Sequence, residues 1–109
     1  MQQLQVSELV AFVAAAPDTL LLDVREPWEV QLAQLQLPGV RALNVPMQQV
    51  PQRLHDIAGA QPVVCICHHG ARSAQVVAFL QGQGLGAVYN LAGGIDAWSV
   101  QIDPSVPRY

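Results

Sequence analysis

The sequence predicts an α/β domain built around a mainly parallel sheet, with helices on both of its faces. Three observations carry that prediction. The runs Leu20-Leu21-Leu22 and Val63-Val64-Cys65-Ile66-Cys67 are apolar at consecutive positions instead of alternate ones, which marks strands covered on both sides. Such runs alternate along the chain with helix-like stretches. Composition agrees: 51% hydrophobic and 12% charged residues over 109 positions suit one compact domain, residues 1–109, with no need of disulfide or metal staples.

Each element has its own justification. Ser7 is placed to cap a helix over 8–15, with Glu8 in the first turn where the helix dipole favours a negative charge, and Pro17-Asp18 stops it. Residues 20–24 form an apolar run ending in polar residues, a buried strand. Pro27 opens a short helix reaching Gln34, and Pro38-Gly39 marks a turn. A strand is expected over 42–45 and one short helix over 47–57, with Pro51 breaking it near the middle. Residues 63–67 are the best-defined strand. The segment 73–81 follows as a largely buried helix, its apolar positions leaving a thin polar edge, and Gly82 and Gly84 end it. A last short strand covers 87–89, Gly93-Gly94 a turn and 95–98 a helical turn, and the tail 103–109 reads as irregular.

Charge narrows the function classes. The formal net charge is -3, with eight isolated acids, and the five cations are all arginines. No basic patch offers itself to nucleic acid or anionic lipid. The absence of lysine removes both a Walker-type phosphate loop and Schiff-base chemistry. No apolar run approaches the length of a membrane span, and the first residues lack a basic stretch leading into an apolar one, so the chain reads as soluble and cytoplasmic. Cys65 and Cys67 stand too close for an ordinary disulfide, and free thiols fit a reducing compartment.

The stretch Cys67-His68-His69-Gly70-Ala71-Arg72-Ser73 carries the chemistry. Ligands of parallel α/β sheets bind beyond the carboxyl ends of strands, and Cys67 sits at such an end. At such a position successive backbone N–H groups can converge on one point, where the dipole of the following helix is positive, and Gly70 lets the loop turn tightly. Such a cradle favours an anion. A free cysteine with a pKa of ~8.5 is only a few per cent thiolate at pH 7, and a lowering of ~2 units would make the thiolate the main species. Arg72 adds a permanent cation, and His68 or His69 a titrating one. The same amides would hold a persulfide or an oxyanion approaching the sulfur.

Together, "LLLDVREPWE", "LPGVRALNVP", "VVCICHHGARSAQVVAFLQGQG" and "VYNLAGGIDAW" resemble the single-domain rhodanese family of thiosulfate sulfurtransferases, from residue 20 to residue 98. The resemblance implies a five-stranded parallel sheet between helices, and a Cys67 that takes sulfane sulfur from a donor such as thiosulfate and passes it to cyanide or a thiol. It makes His68, His69, Gly70, Ala71 and Arg72 the substrate-binding loop, with Arg72 its closing cation, and gives Asp23, Arg25 and Ser73 to loop support. Gly93 and Gly94 match the closing turn. No cofactor and no metal are expected; the expected partners are a small sulfur donor and acceptor or a protein sulfur acceptor, without nucleic acid or membrane, and the chain is expected to be a monomer.

Two positions depart from the family pattern. Gln36 stands where a histidine is frequent before the Pro-Gly turn, and His68-His69 stand where an arginine or lysine and a serine are common. Four residues lie between Cys67 and Arg72, the sulfurtransferase spacing, whereas related dual-specificity phosphatases have five and so a wider cradle for phosphate or arsenate. Rival functions are a persulfide carrier serving a partner protein, arsenate or phosphate-ester chemistry on the same loop, and a catalytically silent regulatory domain, against which an intact Cys67 and Arg72 argue. The plain reading of Cys65 is a small core hydrophobe; the other is a resolving thiol. A metal on Cys65, Cys67, His68 and His69 lacks a second ligand segment, since the other histidine is His55. Two histidines on a solvated loop, core or edge packing for Trp28 and Trp98, an ordinary ion pair for Asp23 and Arg25, and surface charge for Arg41, Arg53 and Arg108 are the bland alternatives.

Overall fold

A computed structural model describes residues 2–109. In chain order the elements are β1 (Gln3–Leu4), α1 (Val6–Ala15), β2 (Leu20–Asp23), α2 (Pro27–Leu32), β3 (Arg41–Asn44), 3-10 turns at Met47–Gln49 and Pro51–Arg53, α3 (Leu54–Ala58), β4 (Val63–Ile66), α4 (Ala71–Gly82), β5 (Val88–Leu91) and α5 (Gly94–Gln101). The strands form one five-stranded sheet in the order β1-β5-β4-β2-β3, and every neighbouring pair is parallel. The predicted α/β architecture is therefore the observed one.

Period-two geometry divides the apolar runs between two cores. Leu20, Leu22, Val63, Cys65 and Cys67 pack on one face with Val76, Val77 and Leu80 of α4 and Ile57 of α3. Leu21, Val64 and Ile66 point to the other face, against Leu9 and Val13 of α1 and Ile95 and Trp98 of α5. Consecutive apolar residues were needed because both faces are covered.

Several boundaries move, each for a local reason. α1 begins at Val6 instead of after Ser7, because Gln5 takes the capping position and its N–H donates to the Glu8 carboxylate at 2.9 Å. α4 begins at Ala71, two residues before the expected start: Gly70, with φ of +103°, is the cap, so Ala71 and Arg72 belong to the first helical turn and not to a loop. Pro51 splits 47–57 into two 3-10 turns and a five-residue helix. The turn expected after Gly93-Gly94 extends to eight residues of helix. β1 was not placed by the residue pattern at all, since two residues show no periodicity; its register is Gln3 beside Asn90 and Leu4 beside Leu91. Trp98 is buried, but Trp28 is 60% exposed and meets Tyr109 edge-on, so core packing does not describe it. No helix among the described residues is long and apolar enough to cross a membrane.

Candidate active site

The carboxyl ends of β2, β4 and β5 meet at Cys67. The residue is 1% exposed, yet its sulfur is not sealed in hydrocarbon: the Gly70 N–H donates to Sγ at 3.0 Å, and the Ser73 hydroxyl oxygen lies 3.2 Å from it. The peptide groups that precede Gly70 turn their carbonyls outward to the start of α5, where the Ile95 N–H donates to the Cys67 oxygen at 2.9 Å and the Asp96 N–H to the His68 oxygen at 3.1 Å. That packing needs Gly94. A Cβ there would stand 2.5 Å from both the Cys67 and the His68 oxygen, and its φ of +61° already disfavours a side chain. The N–H groups of Ala71, Arg72 and Ser73 donate to no acceptor among the described residues, as expected for the first turn of a helix. Of the main-chain donors here, the Gly70 N–H is the one that reaches the sulfur.

Ser73 is fully buried and its proton is contested. Asn90, on β5, donates one amide proton to the Gly70 oxygen at 3.1 Å and the other to Gln3 Oε1 at 3.0 Å, so its Oδ1 must accept, and the Ser73 hydroxyl donates to it. A hydroxyl has one proton. While Cys67 is a thiol, Ser73 offers lone pairs to the S–H; beside an anionic sulfur, the hydroxyl would have to turn from Asn90 to the sulfur. Asn90 was not singled out in the sequence.

Arg72 does not stand as a free cation over the loop. Its Nη1 and Nη2 donate to Glu29 Oε2 and Oε1, each at 2.8 Å, so its charge is spent on a two-pronged ion pair. Glu29 is buried, and the Arg72 guanidinium outweighs that burial and holds its carboxyl at about 2. The pair ties α4 to α2. Glu29 also escaped the sequence reading, because an acid at the third position of a helix opened by Pro27 has a sufficient local explanation. It fills that role too: its Oε2 accepts the Glu26 N–H at 3.0 Å.

Asp23 and Arg25 lie one layer further out. Arg25 is fully buried; burial works against its charge, but Asp23 and Tyr109 more than offset it. Its Nη2 donates to Asp23 Oδ2 and to the Ala33 oxygen, both at 2.7 Å, and its Nη1 to the Glu29 oxygen at 3.3 Å. The two residues thus fasten α2 to the end of β2 and reach the cysteine loop through Glu29 and Arg72. Asn44 donates to the Asp23 and Arg25 oxygens and fixes the same turn. Tyr109 closes the layer: its hydroxyl donates to Glu29 Oε1 at 3.0 Å and accepts from Arg25 at 2.9 Å, and its ring stacks on His68 with centroids 3.8 Å apart.

His68 and His69 stack on each other at the rim, 3.9 Å between centroids. Burial, then the neighbouring His69, pushes the His68 pKa down, which favours its neutral form. Ligand atoms of His68, His69 and Asp96 lie within 4.8 Å of one another, so a three-residue donor set exists where the sequence had placed the two cysteines with the histidines; both Asp96 oxygens are already held by Arg108, at 2.8 and 3.2 Å. Cys65 points into the core, and burial, followed by the nearby Cys67, pushes its thiol up to about 12. Gln36 bonds Gln34 at the surface, away from these contacts.

The rhodanese-like domain model matches residues 6–101. A sulfurtransferase of Allochromatium vinosum is 45% identical over 87 residues, covering 80% of this chain and 78% of that protein. The chloroplastic rhodanese-like/PpiC domain-containing protein 12 of Arabidopsis thaliana is 41% identical over 93 residues, which cover 82% of this chain but only 30% of the plant protein. A rhodanese-related protein from Thermoplasma volcanium superposes with a TM-score of 0.79 at 27% identity, over 100% of both chains.

Proposed function

Because the chain belongs to the rhodanese-like family, whose model covers residues 6–101, we propose that it is a sulfurtransferase that carries sulfane sulfur as a persulfide on Cys67. The observation that supports this most is the Gly70 N–H at 3.0 Å from Cys67 Sγ, beside the unpaired first-turn amides of α4. In the first half-reaction the Cys67 thiolate attacks the outer sulfur of a donor, thiosulfate or a similar compound; the donor's S–S bond breaks and sulfite, or the corresponding thiolate, leaves with the electron pair. In the second, cyanide or a thiol attacks the outer sulfur of the persulfide and Cys67 leaves as thiolate. The cradle amides stabilise negative charge on sulfur at both stages. Ser73 supplies a further donor, and Gly70, Ala71, His68 and His69 shape the entrance.

Arg72, Asp23 and Arg25 act as positioning residues, through Glu29. The acceptor thiol belongs to a small molecule or to a partner protein; the exposed Trp28 next to Tyr109 leaves an aromatic edge at the rim for the latter. Residues 1–109 work as one cytoplasmic, monomeric unit, without metal or other cofactor. Phosphate-ester chemistry is disfavoured by the four-residue loop and by an Arg72 already committed to Glu29. Initial rates with a sulfane donor and with cyanide varied in turn test the reading. Parallel double-reciprocal lines, with a sulfur-loaded Cys67 isolated when the acceptor is omitted, are expected. Intersecting lines with no loaded intermediate would overturn it.

A further inference from the structure

Resting on that reading, we propose that Tyr109 is a positioning residue for sulfur transfer, a clamp on both ends of the Cys67 loop that works chiefly through its ring. The tyrosine lies outside residues 6–101, the stretch the family model matches, in a tail without regular secondary structure. The tail is nevertheless fastened. Val106 is buried in the core shared by α1 and α5, and its oxygen accepts the Ser99 hydroxyl. The Asp103 N–H donates to the Trp98 oxygen at 2.9 Å, and Arg108 holds Asp96 of α5 through two nitrogens, at 2.8 and 3.2 Å. Tyr109 is thus delivered to a fixed place.

From there one side chain reaches two segments. Its hydroxyl donates to Glu29 Oε1 at 3.0 Å, the same oxygen that accepts from Arg72 Nη2 at 2.8 Å, and it accepts from Arg25 Nη1 at 2.9 Å. That arm steadies the carboxylate that fixes Arg72, in the first turn of α4. The ring lies 2° from parallel to the His68 ring with centroids 3.8 Å apart, and His69 stacks on His68 at 3.9 Å and 28°. His68 is therefore sandwiched. Its Nε2 is buried and has no hydrogen-bond partner among the described residues, so stacking, and not a hydrogen bond at that nitrogen, orients the imidazole. The two arms differ in consequence. Without the tyrosine hydroxyl, Glu29 still holds both bonds from Arg72. Without the ring, one side of the His68 stack is gone. His68 and His69 are the two residues that bridge Cys67 to Gly70, whose N–H stands 3.0 Å from the sulfur, so a released His68 loosens the segment that sets that distance. Such a misplacement slows the reacting step, and a residue that does not touch the donor leaves donor binding alone.

The test measures kcat and the donor KM for sulfur transfer from thiosulfate to cyanide in the unmodified protein and in Tyr109→Phe, Tyr109→Leu and Val13→Ala, each well below its urea transition. Val13, on α1 in the same core as Val106, is the control that costs stability away from the loop. Tyr109→Leu is expected to lower kcat about tenfold and to leave KM within about twofold. Tyr109→Phe keeps the ring and should stay within about threefold of the unmodified kcat, although it too unfolds at lower urea; Val13→Ala should lose stability and keep kcat. A second readout is independent of turnover: the His68 ring protons, shielded by the stacked tyrosine, should keep their NMR shifts in Tyr109→Phe and move downfield in Tyr109→Leu. An unchanged kcat in Tyr109→Leu, a raised KM with kcat kept, a Tyr109→Phe as slow as Tyr109→Leu, or an equal loss in Val13→Ala would overturn the clamp. An unmodified protein that transfers no sulfur would overturn the sulfurtransferase reading and with it the tyrosine's part in transfer, while the His68 shifts would still report whether the ring holds the loop.

Discussion

Cys65, on β4, and Cys67, one residue past its end, differ by two positions, face the same core and are equally buried, at 0% and 1% exposure. Their sulfurs nevertheless meet opposite surroundings. Around Cys65 the neighbours are apolar, and its thiol is pushed up to about 12, by burial first. Just past the end of β4, by contrast, the Gly70 N–H donates to the Cys67 sulfur at 3.0 Å and the Ser73 hydroxyl oxygen lies 3.2 Å from it. On the proposed reading, burial alone does not silence a cysteine, provided that donors accompany it into the interior.

That contrast can be broken at several points. The largest effect is expected from Cys67→Ser, which should cut sulfur transfer by about 10³-fold or more in a donor-to-cyanide assay, because a hydroxyl does not carry sulfane sulfur. Gly94→Ala comes next: its Cβ would collide with the Cys67 and His68 oxygens at 2.5 Å and push the loop off α5. Transfer should fall about 10²-fold and thermal unfolding should occur at lower temperature, measured on the same sample. Glu29→Gln removes the charge that Arg72 pairs with; because Arg72 is partly exposed and water can take over, the cost in urea unfolding should be about 1–3 kcal/mol.

Glu29 also sets an acid limit. Its folded pKa, at about 2, lies below the ordinary 4.5, so the unfolded chain binds the proton more readily. The pair's contribution is complete above about pH 4.5 and is lost as the pH falls toward 2, and Glu29→Gln should flatten unfolding free energy against pH in that window. A smaller effect, about tenfold on sulfur loading, is expected from Ser73→Ala, which removes one of the donors at the sulfur. Cys65→Ala should change loading by less than about threefold while costing about 1 kcal/mol of stability for the lost packing. A larger loss of transfer would make Cys65 a working thiol and erase the contrast.

How far the site could be read from sequence follows the same division between local and distant. Cys67 and its loop were legible because strand end, glycine and helix start are contiguous, and the covered strands were legible because Leu21 and Leu22 serve different cores. The partners that fix the loop were not. Glu29 meets Arg72 across 43 positions, Asn90 meets Ser73 across 17, and Tyr109 meets Arg25 across 84, distances over which periodicity carries no signal. The partner of Arg72 is hidden for that reason: an arginine after a cysteine loop reads as an anion binder, and nothing local points to the Glu29 carboxylate that it pairs with. Ser73 was placed as the opener of α4 by its type, whereas Gly70 takes the cap through a positive φ that the sequence only hinted at. Tyr109 sat in a tail read as irregular; irregular it is, yet it closes the layer behind the loop.

The central claim is that main-chain donors, and not exposure, make Cys67 the reactive sulfur of a buried pair. Peptide-resolved alkylation of the native protein with iodoacetamide across pH tests it directly. The account predicts that Cys67 is modified near neutral pH at least about 10²-fold faster than Cys65, which should react only on unfolding. Equal rates at the two sites, or a Cys67 that stays unmodified until the protein unfolds, would contradict it.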